Sequence, residues 1–455
     1  MVKKIAKGCG IVFASILAFC ACLCVITLCW GAVQRTRGSV TNMLPETPAD
    51  FVPAVRLIVF TDTHNENDNV AEAVDTAYRL FDNDPVYAGV DAFFGLGDFS
   101  SVGGEEDYKA YTDVLREHVR PETTLVNIHG NHEFKNPAYK ELFARYFDHE
   151  PDTVTEVNGF SCIAFSGERG LTEWTFTPRS LRWFSNAVKT AEAKADGKAV
   201  FVFQHPHPWG TVYGSTVWGD PQINVVLNGH SAVVDFSGHS HFPMHDPRSI
   251  NQATYTAVGC GGLARFELDN NGVVGQHPDG YEDAAELTVV EADNDGSVRI
   301  RGYDLLSGTY FCDYYIEDVN DRANYAYTYK NMKAHDSKPV FAPNTTATAE
   351  RNDEGEWVLH FDGAKCGTIV HEYKIVIRDD NGNKVFSENR INDYYVTDPG
   401  ALQTAREDDI DSGGWESFRI GADTLESGKT YTLRVRAESA YHLYSDWLEV
   451  PFTAQ

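Results

Sequence analysis

Asp62 and His64 stand two residues apart just past the mostly apolar run from Val55 to Phe60, and together offer a carboxylate and an imidazole to a metal cation. Alone, such a pair describes many solvated loops. Four further fragments repeat the chemistry: Gly97-Asp98, Gly130-Asn131-His132-Glu133, His205 within Gln204-His205-Pro206, and Gly238-His239-Ser240-His241. Each follows its own short β-prone run, namely Ala92 to Leu96, Leu125 to Ile128, Ala199 to Phe203 and Val233 to Phe236. Five strand ends therefore each deliver hard or borderline ligands.

Helical patterns separate those runs. Val70, Val74, Ala77, Tyr78 and Phe81 recur at helical spacing across Asn69 to Phe81. Tyr108 to His118, Ala138 to Phe147 and Ser180 to Ala195 read as further helices, the last started by Thr177-Pro178. Alternation of this kind predicts an α/β core with mostly buried strands. In open α/β sheets ligands gather outside the carboxyl ends of the strands, which is where all five fragments fall.

In that order, Asp-x-His, Gly-Asp, Gly-Asn-His-Glu, His and Gly-His-x-His resembles the calcineurin-like metallophosphoesterase superfamily, over residues 55–319. The resemblance implies two mixed β-sheets flanked by helices and a site for two divalent metal ions. It places Asp62, His64, Asp98 and His241 on one metal, with Asp98 bridging to a second held by Asn131, His205 and His239. His132 becomes the outer-sphere catalytic histidine. The implied activity is hydrolysis of phosphoric esters, with a metal-bridging hydroxide attacking phosphorus and His132 giving a proton to the leaving group or holding the phosphate.

That chemistry is coherent. Two dications outweigh two carboxylates, so the cage stays positive towards a phosphoryl group, and a water shared by metals about 3.5–4 Å apart is deprotonated near neutral pH. Imidazole and carboxylate together suit Mn, Fe, Zn, Ni or Co. Purple acid phosphatases, one branch of the superfamily, carry a tyrosine ligand three residues after the bridging Asp; Ser101 stands there, which argues against a tyrosinate-iron site.

Neighbouring side chains complete the candidate set. His207 is the rival of His205, which is preferred because it directly follows the strand run and Gln-His-Pro-x-Pro resembles the family block. His129, His230 and His245 read as loop residues or supports outside the ligand set, and Glu133 as either an orienting partner or a solvated carboxylate. The loop from Trp209 to Pro221, with Tyr213 and Trp218, lies beside a metal histidine. Trp209 and Tyr213 are candidates for a wall along the leaving group, against the alternative of surface packing. Arg248 is a candidate contact to a phosphate oxygen, or equally a partner for a carboxylate. Gly259 to Gly262 reads as a tight turn beside the site.

With 455 residues the chain exceeds one ordinary core, and two or three folded units are expected. Its formal net charge of −28 disfavours binding a nucleic-acid polymer along its backbone, though not a small phosphoester in a metal pocket. Gly8 to Val33 carries no charge and is long enough to cross a bilayer core of roughly 30 Å. It exceeds the apolar region of about 7–15 residues in a cleaved signal and lacks a small-x-small site. Residues 1–33 therefore read as an uncleaved single-pass anchor in the cell membrane with the bulk of the chain outside, and 34–54, with Pro45, Pro48 and Pro53, as a tether. Cys162, Cys260, Cys312 and Cys366 suggest neither a zinc ribbon nor a disulfide-dense scaffold.

Residues 320–337 read as a connector. From 338 to 455, strands at Glu356 to Phe361, Glu372 to Arg378, Lys384 to Glu388, Tyr431 to Glu438 and Trp447 to Phe452 predict a β-sandwich. Leu425 to Ala437 is similar to the tyrosine-corner strand of fibronectin type III domains, with Trp357 as the core tryptophan. Such a unit serves as a spacer or for contact with a surface or a protein.

The whole then reads as an anchored, outward-facing binuclear metallophosphoesterase. A phosphodiester or nucleotide-like substrate is preferred because the Gly-Asn-His-Glu version is shared with cyclic-nucleotide phosphodiesterases; a phosphomonoester is the alternative. A rival of another class is a surface binding protein using the fold as a scaffold, which an incomplete ligand set would have favoured.

Overall fold

Val55 to Phe60 is buried at every position, which a strand tolerates only when both faces of its sheet are covered. The computed structural model shows what covers them. It describes residues 44–455 apart from 172, 279–280, 393–394 and 396–414. The anchor expected at 1–33 lies outside the described residues, among which no helix is long and apolar enough to cross a membrane.

In chain order the principal elements of the first unit begin with β1 (Val55–Phe60), α1 (Asn67–Phe81), β2 (Ala92–Gly95), α2 (Glu105–His118), β3 (Thr124–Asn127) and α3 (Tyr139–Tyr146). There follow β4 (Thr153–Val157), β5 (Phe160–Phe165), α4 (Pro178–Lys194), β6 (Val200–Gln204), α5 (Pro221–Leu227) and β7 (Val233–Ser237). The unit closes with β8 (Ile250–Gln252), β9 (Thr256–Gly259), β10 (Glu286–Ala292), β11 (Val298–Asp304), β12 (Thr309–Ile316) and α6 (Tyr329–His335).

Two six-stranded sheets result, ordered β12-β11-β10-β1-β2-β3 and β8-β9-β7-β6-β5-β4. In the first, β1, β2 and β3 run parallel, and in the second β5, β6, β7 and β9 do. The sheets meet face to face, with Phe94 of β2 stacked on Phe203 of β6 at a centroid distance of 3.8 Å. Val70 and Val74 of α1, Tyr108 of α2 and Leu142 of α3 pack on Ile58, Phe60 and Phe93 across the outer face of the first sheet. Over the second sheet lies α4, where Phe184 stacks on Phe165. Its start is fixed as the sequence indicates: Thr177 accepts the Ser180 amide at 3.2 Å and Pro178 takes the first position.

Arg56 is the one charge inside β1, and its surroundings explain it. The side chain is 1% exposed, donates to Glu291 of β10 at 2.8 Å and Asp84 at 2.9 Å, and lies over the Phe81 ring. Glu291 is its cross-strand partner, so the charge is paired where it is buried.

The second unit comprises β13 (Ala347–Arg351), β14 (Trp357–Asp362), β15 (Val370–Arg378), β16 (Lys384–Ile391), β17 (Trp415–Ile420), β18 (Thr430–Ser439) and β19 (Leu448–Thr453). They form a three-stranded sheet, β13-β14-β17, and a four-stranded sheet, β16-β15-β18-β19. Trp357 is fully buried between them, its indole N–H donating to the Ala422 and Leu425 carbonyls. Sequence patterning missed β13 and β17 here, and β4, β5, β8, β9 and β12 in the first unit; β12 has a mostly half-exposed first half and no clean alternation. The segment at 320–337 is more than a connector. It contains α6, and Tyr327 and Met332 enter the core of the first unit.

Candidate metal centre

Every fragment that could hold a metal leaves the carboxyl end of a parallel strand: Asp62 and His64 follow β1, Asp98 follows β2, Asn131 and His132 follow β3, His205 follows β6, and His239 and His241 follow β7. Because β1, β2 and β3 are neighbours and β6 adjoins β7, the two sheets bring these ends to one edge. Asp62, His64 and His241 present ligand atoms within 4.8 Å of one another, as do His64, Asp98 and His132, and Asp98, His205 and His239.

Asp98 is common to two of these groups. Its Oδ2 lies 3.9 Å from His64 Nε2, 3.8 Å from His132 Nε2 and 3.3 Å from His205 Nε2. That is the position of a bridging ligand. Asn131 Oδ1 is 3.0 Å from His205 Nε2, which joins it to the second group. His64 and His241 approach through Nε2 at 3.0 Å, with His241 Nε2 3.4 Å from Asp62 Oδ1.

The donor set fits cations. Asp62 Oδ1, in the first of these groups, and His239 Nε2, in the last, are buried with no hydrogen-bond partner, an arrangement that costs free energy unless a cation lies against each. Other atoms of the same side chains are tied down. Asp62 Oδ2 accepts from Thr61 Oγ1 and from the His239 amide, both at 2.8 Å. His205 Nδ1 donates to the Leu96 carbonyl at 2.8 Å and His241 Nδ1 to that of Arg265 at 3.2 Å, turning both Nε2 atoms inward. Burial lowers the pKa of His64 to about 3 and holds His239 and His241 well below the usual range, so their lone pairs are free to ligate. Burial opposes charge on His205 too, but Asp98 and Asp62 beside it keep its proton on, up to about 9. Asp98 is held ionised against its burial by His205.

The backbone is also committed to the site. Asp62, His64, Asp98, His239 and His241 have φ of 53°, 42°, 50°, 69° and 55°, five of the ten non-glycine residues with positive φ among those described. Such conformations are uncommon outside glycine and concentrate where geometry serves function. Gly130 and Gly238 are needed for close approach: a Cβ on Gly130 would sit 2.1 Å from Asp98 Oδ1, and one on Gly238 2.1 Å from Thr61 Oγ1.

Glu133 is a clasp. Fully buried, it accepts the amides of Asp98 and Gly130 on Oε2 at 2.9 and 2.7 Å and that of Ser100 on Oε1 at 2.9 Å, binding two ligand loops together. His132 is part-buried; Nδ1 donates to the Ser101 carbonyl at 2.7 Å, leaving Nε2 towards the cage. Burial lowers its pKa, with Asp98 acting in the opposite sense. Lys135 Nζ lies 2.8 Å from Nδ1 and 3.3 Å from Nε2.

The remaining candidates fall elsewhere. His207 is bound through both ring nitrogens to Ser237 Oγ and Ser240 Oγ, at 2.7 and 2.8 Å, and supports the loop between His239 and His241 from below. His129 sits in an aromatic box of Phe134, Tyr139 and Phe143, and His230 pairs with Glu192. His245 stacks on Phe311 at 3.7 Å and faces Glu286. Arg248 is not aimed at the cage: it grips Asp246 through Nε and Nη2 at 2.8 and 2.6 Å and stacks 3.7 Å over Tyr213. Tyr213 in turn donates to Asp269. Trp209 donates its indole N–H to the Thr216 carbonyl at 3.2 Å. The aromatic rings that do meet a ligand are Trp174 and Trp218, edge-on to His239 at centroid distances of 4.9 and 5.4 Å. Trp218 belongs to the loop singled out above; Trp174 lies in a short strand, Trp174–Thr175, that no metal motif adjoins.

Residues 55–243 match the family model "Calcineurin-like phosphoesterase". Over that stretch, less than half of the 455 residues, the chain is similar to calcineurin-like phosphoesterases. No curated protein matches the chain. Among solved structures, a purple acid phosphatase from yellow lupin (Lupinus luteus) seeds is similar at 13% identity and a TM-score of 0.43, over 58% of this chain and 54% of that one. This chain thus spans about half the length of that structure. The cold-active protein-tyrosine phosphatase of a Shewanella species is similar at 14% identity and a TM-score of 0.24, over 60% of this chain and 88% of its own.

Proposed function

We propose that this cage hydrolyses phosphoric esters with two divalent cations, and that its substrate is a phosphodiester or a nucleotide-like ester. The observation that carries the reading is the single Asp98 oxygen lying between His64 on one side and His205 on the other. Bound there, Mn, Fe, Zn, Ni or Co ions would supply positive charge for the phosphoryl oxygens and a water made acidic enough to attack near neutral pH.

The chain's own groups do the rest. Thr61 and the His239 amide fix Asp62 Oδ2 so that Oδ1 faces inward. His132, oriented by Ser101, presents Nε2 towards the cage, and as the imidazolium it would give a leaving oxygen its proton from there, a contribution of about 10²–10⁴-fold for groups of this kind. Trp174 and Trp218 set flat apolar surfaces beside His239, suited to the ring of a nucleoside or aromatic ester. A phosphomonoester is the second reading, favoured by Lys135, whose ammonium beside His132 would offset the additional negative charge.

The test is turnover by the full chain, purified in detergent and loaded with manganese. Bis-p-nitrophenyl phosphate is expected to be cleaved with higher kcat/KM than p-nitrophenyl phosphate; the reverse order selects the monoester reading. Absence of metal-dependent turnover of either leaves only a scaffold.

Two further parts belong to the same reading. Residues 1–33 anchor the chain with its bulk outside the cell, supported by the uncharged run Gly8 to Val33. Protease added to intact cells should then remove the folded units; full protection would count against the outward orientation. The second unit is a fibronectin type III-like sandwich. In support, Tyr431 Oη accepts the Glu426 amide at 2.9 Å, as at a tyrosine corner, and Trp357 fills the core.

A further inference from the structure

The four-stranded sheet of the second unit buries one face in the sandwich core, through Tyr373, Ile375, Ile377, Leu433, Val435 and Ala437. Its other face is unlike the rest of this acidic chain. Lys374 of β15 stands directly opposite Arg436 of β18, and Arg378 is paired with Lys384 of β16. Like charges directly opposite each other destabilise a sheet. On a chain of net charge −28, carboxylates to break up such pairs are plentiful, yet among the described residues Lys374, Lys384 and Arg436 form no ion pair with one. Of the three glutamates on the same face, Glu449 of β19 meets Arg434 at 3.2 Å and the other two are engaged away from the cation pairs. Glu372 accepts the Asn271 amide and Asn389 Nδ2, both at 2.6 Å, and Glu438 meets His442 at 2.8 Å.

These cations line a cavity of about 520 Å3. Its wall is Trp447, with the Arg434 guanidinium 4.2 Å and the Arg436 guanidinium 5.1 Å from the ring centroid, and Tyr444 lies 4.6 Å from Arg436. Stacking covers the faces of the Arg436 guanidinium and leaves its in-plane N–H donors free, whereas Arg434 also meets Glu449 through Nε. A planar fork held this way is pre-organised for two-point contact with an oxyanion. The space far exceeds one phosphate or sulfate, and Ser387, Asn389 and Asn271 add hydroxyl and amide groups between the charges. The aromatic faces taken up by arginine are closed to base stacking, which disfavours single-stranded nucleic acid.

We propose that this groove is a second ligand site, separate from the metal centre, that takes a sugar of about disaccharide size carrying sulfate or phosphate groups. Binding is driven by the paired cations Lys374 with Arg436 and Arg378 with Lys384, and the neutral polar residues read the hydroxyls. It stands independently of the hydrolytic reading.

Calorimetric titration of the full chain tests this, with trisulfated heparin disaccharide as the sulfate probe and glucose 1,6-bisphosphate as the phosphate probe. The second titration is repeated in Asp98→Ala, so that phosphate held by the metal loops does not count. One of the two probes is expected to bind, and whichever binds names the source of the oxyanion. Affinity should drop by at least about tenfold in Arg436→Ala, the loss of one two-point contact. Because Arg436 also packs on Trp447, Lys374→Ala, which removes no stacked ring, serves as the second variant and should show the same direction of loss. Raised salt should weaken binding in parallel. No binding of either probe, binding indifferent to both substitutions, inorganic sulfate binding as tightly as the disaccharide, or tighter binding of a single-stranded oligonucleotide would each overturn the proposal.

Discussion

At the scale of single residues, bridging and proton transfer can be separated by what each substitution leaves behind. For His132→Ala, kcat is expected to fall about 10²–10⁴-fold while metal content measured by mass spectrometry is unchanged. Asp98→Ala should weaken both metals together, because one oxygen faces both halves of the cage; full occupancy in that variant removes the bridging role. Glu133→Gln exchanges an acceptor of three backbone amides for a side chain with one acceptor atom, and a loss of about 1–3 kcal/mol in denaturant unfolding is expected. The ligands were legible in the sequence because each follows a strand end and all but Asp62 sit within two residues of a glycine, asparagine or proline. For Arg248 the carboxylate alternative is the one seen, and Tyr213 turns to Asp269 instead of lining a wall. Asp246 is a local partner two residues away, but Asp269 and His371 lie 56 and 123 residues from the side chains they hold, and no local pattern announces contacts over such separations. His207 could not be told from His205 by spacing alone; the hydroxyls of Ser237 and Ser240 decide between them.

At the scale of elements, the loop carrying Asn131 and His132 is braced from β4 and β5. Ser166, just after β5, accepts the His129 amide on Oγ at 2.9 Å and donates its own amide to Asp152 at 2.8 Å. Burial raises the Asp152 carboxyl from 3.8 to about 6. The folded chain thus holds this proton more tightly than the unfolded one. The resulting stability is complete below about pH 4 and is lost as pH rises through 6. Asp152→Asn keeps the acceptor and removes the charge, so it should be more stable than the parent at pH 7 by of order 2 kcal/mol and match it near pH 4. Urea unfolding across that range checks it, and a difference that does not change with pH would exclude the titration. Apart from β5 and β9, which no metal motif follows and which went unread, the central strands were legible from their apolar runs. Edge strands β4 and β12 were not, since one exposed face and partial pairing leave them no run to read.

At the scale of the molecule, the two units are joined by buried charge. Asp246, kept ionised against burial by Arg248, also accepts from Tyr395 Oη at 2.7 Å, and His371 of β15 lies 3.3 Å from Arg248 and 3.1 Å from Tyr395. Removing one member leaves a carboxylate buried and unpaired, so Arg248→Ala should cost about 3–5 kcal/mol. In scanning calorimetry the variant is expected to show two transitions where the parent shows one; a single transition at the parental temperature would mean the network does not couple the units. Ala440 and Tyr441, at the end of β18, go further and enter the core of the first unit. A module of this shape is ordinarily free to be duplicated, deleted or traded between genes. Here its loss would strip the phosphoesterase fold of side chains from its own interior, so the pair is bound to be inherited, expressed and degraded as one piece.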